Sequence, residues 1–258
     1  MKWPATITLM RHEQSAYNEL RGRKENDELY QEFKAAFAKD HRSYKTRWLA
    51  EDINNRFALD VSDYDTPLTQ YGERCAFQKG EQMRLRADEY PLPDIVLVSP
   101  YMRTQQTYTE ITVAWPALLS VPVIYDDRIR EQEHGLSLLY NDWRVFHVFH
   151  PEQKKLYDLM GPYWYQYPQG ESVPQVRDRI RSMTNTLIRE YAGAHVLIIT
   201  HHLTILSFRA NFERLSAEHF LRLDKREKPI NGGLTRYRGN PNRGTDGNLE
   251  LEYYNRSL

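Results

Sequence analysis

Apolar residues along the chain keep two rhythms, and the rhythms take turns. Residues 5–10 (ATITLM) are β-branched and apolar and predict a buried strand. Residues 69–89 have few breakers and many helix formers, and predict a helix. Residues 94–99 (DIVLVS) form a short continuous apolar run, the pattern of a strand covered on both faces. A helix over 103–113 and a strand over 121–125 follow. Residues 173–191 predict a long helix, with Val176, Ile180, Met183, Leu187 and Ile188 along one side. The run HVLIIT at 195–200 is the third strong strand, and 204–212 is helical. Strand-like pieces at 234–238 and 249–254 are split by the turn-rich GNPNRGTDGN. Strand–helix alternation of this kind predicts an α/β fold with three αβα layers and a mostly parallel central sheet.

Two stretches do not follow the alternation. Residues 19–64 are charged and partly helical, and residues 136–170 carry many aromatics, among them Tyr140, Trp143, Tyr157, Tyr165 and Tyr167. Both read as insertions covering the strand ends of one domain that spans residues 1–258. No internal repeat or low-complexity segment interrupts it.

Composition narrows the function. Lys plus Arg number 35 and Asp plus Glu number 35, so the chain offers no overall positive field for nucleic acid or an anionic membrane. Any anion site must be built locally. The single cysteine, Cys75, excludes an intramolecular disulfide framework and reads as a helical packing position. No signal-peptide core and no apolar run of about 20 residues is present, so a cytoplasmic protein is expected.

In sheets of this class, ligands bind beyond the carboxyl ends of the strands. The residues at those ends are chemically related. Arg11 and His12 follow the first strand, Ser99 through Arg103 the second, and His201 and His202 the third. A strand-end histidine can present a ring nitrogen, and arginine offers a planar fork suited to phosphate. Arg103 falls at a helix start, which favours anions. Glu131 and Glu133, in RIREQEHG, can supply or take a proton beside phosphate. Taken singly, these are a surface pair, a helix-end arginine and a charged loop. No HExxH or paired-cysteine motif argues for metal, and the adjacent His201 and His202 do not suit one coordination sphere. His147 and His150 read as packing or surface residues.

In this order the segments resemble the histidine phosphatase superfamily, also called phosphoglycerate mutase-like. LMRHEQSAYN is similar to its Arg-His-Gly-x-Ser-x-x-Asn signature, and DTPLTQYG to its Pro-Leu-Thr-x-x-Gly helix entry. SPYMRTQQT resembles its Ser-Pro-x-x-Arg-Thr-x-x-Thr segment, and RIREQEHG its acid-bearing loop. YPQGESVPQVRDR, ITHHLT and PINGGLT resemble the later helix start, second-histidine motif and late turn. The REQE and PQGES wording is similar to the broad-range acid phosphatase subgroup.

The resemblance implies roles. His12 is the nucleophile that accepts a phosphoryl group. Arg11, Arg103 and His201 surround its oxygens, with Asn18 at the rim and His202 counted in the phosphate-binding set for its place beside His201. Glu131 is the proton donor to the leaving oxygen, preferred over Glu133 because it has the family's four-residue offset to Gly135. Neither cofactor nor metal is implied. The partner is a small phosphorylated substrate, with no nucleic acid and no membrane. Glu171 and Ser172 precede a long helix and read as its caps, with steadying of the pocket as the alternative. Glu13 and His202 stand where the family has glycine, and their side chains are expected to turn away from the phosphate. The expected activity is hydrolysis of small phosphate monoesters through a phosphohistidine. Mutase-type transfer and a degenerate phospho-ligand binder are the rivals.

Overall fold

The computed structural model describes residues 2–258. In chain order the elements are β1 (Thr6–Arg11), α1 (Ala16–Glu25), α2 (Glu28–Lys39), α3 (Tyr44–Arg56), α4 (Gln70–Leu85), β2 (Ile95–Val98), α5 (Met102–Ala114), β3 (Val123–Tyr125), α6 (Trp143–Phe149), α7 (Pro151–Met160), α8 (Val173–Glu190), β4 (His195–Thr200), α9 (His202–Phe212), α10 (Ala217–Arg226), β5 (Leu234–Asn240) and β6 (Asn248–Arg256). They divide into two compact units. The first holds residues up to Ser15, Tyr64–Glu131 and Gln175–Leu258, and the second holds Ala16–Asp63 and Gln132–Pro174.

The first unit is built on a six-stranded sheet in the order β3-β2-β4-β1-β5-β6. β3, β2, β4 and β1 run parallel, and β5 and β6 are antiparallel additions. The continuous apolar runs separate by period two into two cores. Ile7, Leu9, Ile95, Leu97, Val196 and Ile198 meet Val176, Ile180, Met183 and Leu187 of α8 and Ile205 and Phe208 of α9. Met10, Val96, Val98, Leu197 and Ile199 meet Met83 of α4 and Ile111 of α5. Each such side chain is removed from water, worth roughly 1.5–3 kcal/mol before entropy is counted. This is the α/β fold with a mostly parallel sheet that the alternation predicts.

Several boundaries differ from the pattern. α4 stops at Leu85, short of the prolines Pro91 and Pro93 that exclude helix. β3 begins only after Pro122, which cannot donate to a ladder. α9 starts at His202, and α10 has no counterpart in the sequence reading.

The second unit has its own core, formed by Leu20, Tyr30, Phe33, Leu49, Ala50, Ile53, Phe57 and Val145. One buried polar group is set inside it. Lys24 Nζ lies 2.9 Å from Asp142 Oδ2, and the Tyr30 hydroxyl donates to the same carboxylate oxygen. Burial opposes the charge, but Lys24 and Tyr30 hold the Asp142 carboxyl below its ordinary range. His147 is fully buried among Trp143, Tyr157 and Tyr167, and neither ring nitrogen has a hydrogen-bond partner among the described residues. Among the described residues no helix is long and apolar enough to cross a membrane.

Candidate active site

Strand register brings the two histidines together. β1 and β4 pair in parallel with Arg11 opposite Thr200, so His12 and His201 are the next residues beyond the ladder. The His12 amide continues the pairing by donating to the Thr200 carbonyl at 2.9 Å. Their rings lie 5.2 Å apart at 61°. β2 ends at the same level, because the Ser99 amide donates to the Ile199 carbonyl. Ser99 Oγ then sits 2.7 Å from His201 Nε2. Three neighbouring parallel strands therefore deliver His12, Ser99 and His201 to one place.

α5 opens beside them. Tyr101 is its N-cap, and Arg103 lies in its first turn with the guanidinium 4.8 Å over the Tyr101 ring. Thr107, one turn later, binds the parts together. Its hydroxyl accepts from the Glu13 amide at 3.1 Å and donates to the Arg103 carbonyl at 2.7 Å. The final threonine of SPYMRTQQT thus ties the backbone after His12 to the backbone of Arg103.

The loop after His12 is clamped from two other sides. Ser15 bridges to Leu68, and the Gln14 carbonyl accepts from the Thr69 amide at 3.0 Å. Thr69 also caps α4 by accepting from the Gly72 amide. Gly72 lies so close that a Cβ there would stand 2.2 Å from the Gln14 carbonyl oxygen. From the other side, the turn before β5 grips β1. Arg11 Nη1 donates to the Pro229 carbonyl at 2.8 Å, and Asn231 Nδ2 donates to the His12 carbonyl at 3.0 Å.

Glu13 fits into this turn. Its carboxyl lies on Gly232, where a Cβ would come within 1.8 Å of Oε1, and Gly232 has φ +65°. Gly232 therefore leaves the room that the Glu13 side chain occupies. Burial pushes the Glu13 carboxyl up, against the pull of Lys79 and Arg11.

The electrostatics suit a neutral nucleophile beside fixed cations. Burial, followed by Arg103 and Arg11, holds His12 well below the ordinary histidine range. Burial and Arg103 do the same for His201. His12 Nδ1 is 2.7 Å from the Glu13 carbonyl, which can only accept, so Nδ1 carries the proton and Nε2 keeps its lone pair. His201 Nδ1 is buried without a protein partner among the described residues, a polar atom left for a ligand. Such a site presents a nucleophilic nitrogen to an anion and offers guanidinium charge to its oxygens.

Glu131 is in the first unit. Its carboxyl accepts from the Leu203 amide at 3.1 Å, at the N-terminus of α9 and two residues past His201. Arg179 of α8, which the sequence reading passed over, fixes this loop by donating to the carbonyls of Arg128, Arg130 and Glu131 at 2.8–2.9 Å. His202 turns to α10, with Nε2 2.8 Å from Asp224 Oδ1.

Two expected site residues belong to the second unit. Asn18 lies on α1, and Glu133 lies in the segment after Glu131. Glu133 exchanges hydrogen bonds with Glu171: its amide donates to Glu171 Oε2, and its carbonyl accepts from the Glu171 amide. Glu171, read above chiefly as a helix cap, thus anchors the acid loop. Gly135 and Gly170 let that loop pack, since a Cβ on either would come within 2.5 Å of a carbonyl oxygen. Thr107, Arg179 and Asn231 were missed because their roles are made by backbone atoms distant in sequence. The last threonine of SPYMRTQQT and the asparagine of PINGGLT, both inside segments that resemble the family's, were the available signals. Among the described residues no group of three His, Cys, Asp or Glu is placed to hold a metal.

The chain is similar to known proteins. The family model described as "Histidine phosphatase superfamily (branch 1)" matches residues 45–244. The chain is 26% identical over 179 residues to the Arabidopsis thaliana "Phosphoglycerate mutase-like protein AT74H", covering 63% of this chain and 61% of that one. It is 31% identical over 133 residues to "Phosphoglycerate mutase-like protein AT74" of the same plant, covering 48% and 40%. The chain thus spans about three-fifths or less of these relatives. Among solved structures, Bacillus stearothermophilus YhfR superposes with TM-score 0.65 at 17% identity, covering 98% of both chains. A mycobacterial glucosyl-3-phosphoglycerate phosphatase superposes with TM-score 0.63 at 18% identity, covering 98% and 100%. At these identities the superpositions speak for the fold.

Proposed function

Because this chain belongs to the histidine phosphatase superfamily, we propose that it hydrolyses small phosphate monoesters through a phosphohistidine on His12. The observation that carries the reading is the tautomer of His12, fixed by the Glu13 carbonyl beside Arg11, Arg103 and His201. His12 Nε2 attacks phosphorus, and the phosphorus–oxygen ester bond breaks. The leaving oxygen takes a proton from Glu131. Water then attacks the phosphohistidine and gives its proton to Glu131, releasing inorganic phosphate and restoring His12. Phosphoryl transfer asks mainly for positioning and charge stabilisation, which two arginines and two histidines supply.

The proposal extends to a cytoplasmic enzyme of the broad-range acid phosphatase kind. The test is phosphate release from p-nitrophenyl phosphate by wild type and His12→Ala at acid and neutral pH, with trapping of an acid-labile, alkali-stable phosphoenzyme. Background turnover by wild type on every ester leaves a phospho-ligand binder, and unchanged turnover in the variant removes His12 as nucleophile. Mutase-type transfer is the second reading, favoured by the names of the plant relatives. Interconversion of phosphoglycerates without phosphate release is its signature.

A further inference from the structure

A row of rings leads outward from the site. The Tyr101 ring packs edge-on against His201, with centroids 5.0 Å apart at 69°, and carries Arg103 over its face. Tyr64 continues the row, 5.3 Å beyond Tyr101 at 55°. Tyr101 is only 7% exposed, whereas Tyr64 is 48% exposed. Tyr64 is also held in place, because its carbonyl accepts from the Met102 amide at 2.9 Å at the start of α5. All four residues belong to the first unit.

We infer that Tyr64 and Tyr101 form an aromatic wall that selects phosphate esters whose leaving group presents a flat, apolar face. The inference rests on the reading of Arg103 and His201 as phosphate ligands. A phosphoryl group held by those two residues lies against Tyr101. Ring-to-ring steps of 5.0 and 5.3 Å put Tyr64 at most about 10 Å from His201, within reach of a phosphoryl group at His201 followed by an ester oxygen and one six-membered ring. Tyrosine offers such a leaving group a large apolar face at low entropic cost, because its ring has only two side-chain torsions. Packing against Tyr101 and the backbone tie to Met102 hold the Tyr64 ring in advance of binding. A small alkyl leaving group would end before reaching Tyr64 and would gain nothing from it.

The experiment compares benzyl phosphate with ethyl phosphate, two alkyl esters that differ in the presence of a ring. Tyr64→Ala should lower kcat/KM for benzyl phosphate about three- to tenfold, the range of one aromatic contact, and leave ethyl phosphate unchanged. Ethyl phosphate turnover also reports that the variant is folded. Tyr64→Phe should retain the benzyl preference. Equal losses on both esters, or no loss on benzyl phosphate, overturn the wall. Binding of phenylphosphonate against methylphosphonate, measured by calorimetry, tests the wall without turnover. The preference for phenylphosphonate should shrink by the same factor in Tyr64→Ala, and an unchanged preference overturns the inference. Absence of turnover alongside a Tyr64-dependent preference would instead count against the phosphatase reading alone.

Discussion

Replacing Gly72 with alanine tests whether the loop after His12 is held by close backbone packing. The added Cβ would stand 2.2 Å from the Gln14 carbonyl oxygen and 3.0 Å from its carbon. An ordinary carbon–oxygen contact is about 3.4 Å or more, so one backbone must move by roughly an ångström. Neither side yields easily. Gly72 is fixed by the Thr69 cap, and Gln14 is fixed by the Thr69 amide and by the bridge between Ser15 and Leu68. Overpacking of this kind costs about 1–3 kcal/mol. The displaced residue is two positions from His12, and an ångström of misplacement can cost about 100-fold in rate. Gly72→Ala should therefore lower kcat/KM on p-nitrophenyl phosphate by one to two orders of magnitude and lower Tm by several degrees. Gly22→Ala is the control. Gly22 is inside α1 with nothing within 4 Å of its added Cβ, so alanine should stabilise by about 0.5–1 kcal/mol and leave kinetics untouched. A Gly72→Ala protein with wild-type kcat/KM, whatever its Tm, would refute the idea that this approach positions His12.

Three further outcomes follow from groups already described. Glu131→Gln removes the proposed proton donor, so kcat/KM, which reports the steps up to phosphohistidine formation, should fall about 10²–10⁴-fold on alkyl phosphates and less on p-nitrophenyl phosphate, whose leaving group needs no proton; equal loss of kcat/KM on both would count against the donor role. His147 is held to about 4 by burial and Lys154, below its unfolded value near 6.5, so the folded state resists protonation and loses roughly 3 kcal/mol between pH 7 and pH 4. His147→Leu should abolish that part of the acid loss in urea unfolding at the two pH values, and an unchanged acid loss would exclude His147 as its source. Glu13 has its proton affinity raised by burial, so its ionisation costs stability as pH rises above the ordinary glutamate range. Glu13→Gln should raise Tm at pH 7 and 8 but not at pH 4, and a loss at neutral pH would show that Lys79 makes the charge favourable.

The parts of the fold legible in the sequence are those whose burial is two-sided. ATITLM, DIVLVS and HVLIIT are covered on both faces, so their apolar runs announce strands directly. α10 was not read because only Phe220 and Leu223 are buried on it, too few to set a period against its charged residues. Of the site, His12 and His201 could be placed at strand ends from pattern alone, but their 5.2 Å proximity depends on the pairing of Arg11 with Thr200. Arg179 acts on carbonyls contributed by distant segments, so no local spacing marks it, and although Thr107 and Asn231 lie in family-like segments, their bonds to the Glu13 amide and the His12 carbonyl are made across more than ninety residues. The sequence did flag Glu13 as anomalous. Only the structure shows that Gly232 receives it.

The place of β1 in the sheet has a consequence for how the protein is made. β1 leaves the ribosome well before its neighbours on both sides, β4 and β5. Thr6 waits for His195, 189 residues later, and then for Arg238. Until then an apolar strand has both edges open, the condition under which chains associate with one another. A nascent chain that already contains His12 lacks His201 and the turn that grips Arg11, so it cannot assemble a phosphate site. Activity should appear only after β4 and β5 have been made, and slow synthesis between β1 and β4 should raise the demand for chaperones while leaving the final fold unchanged.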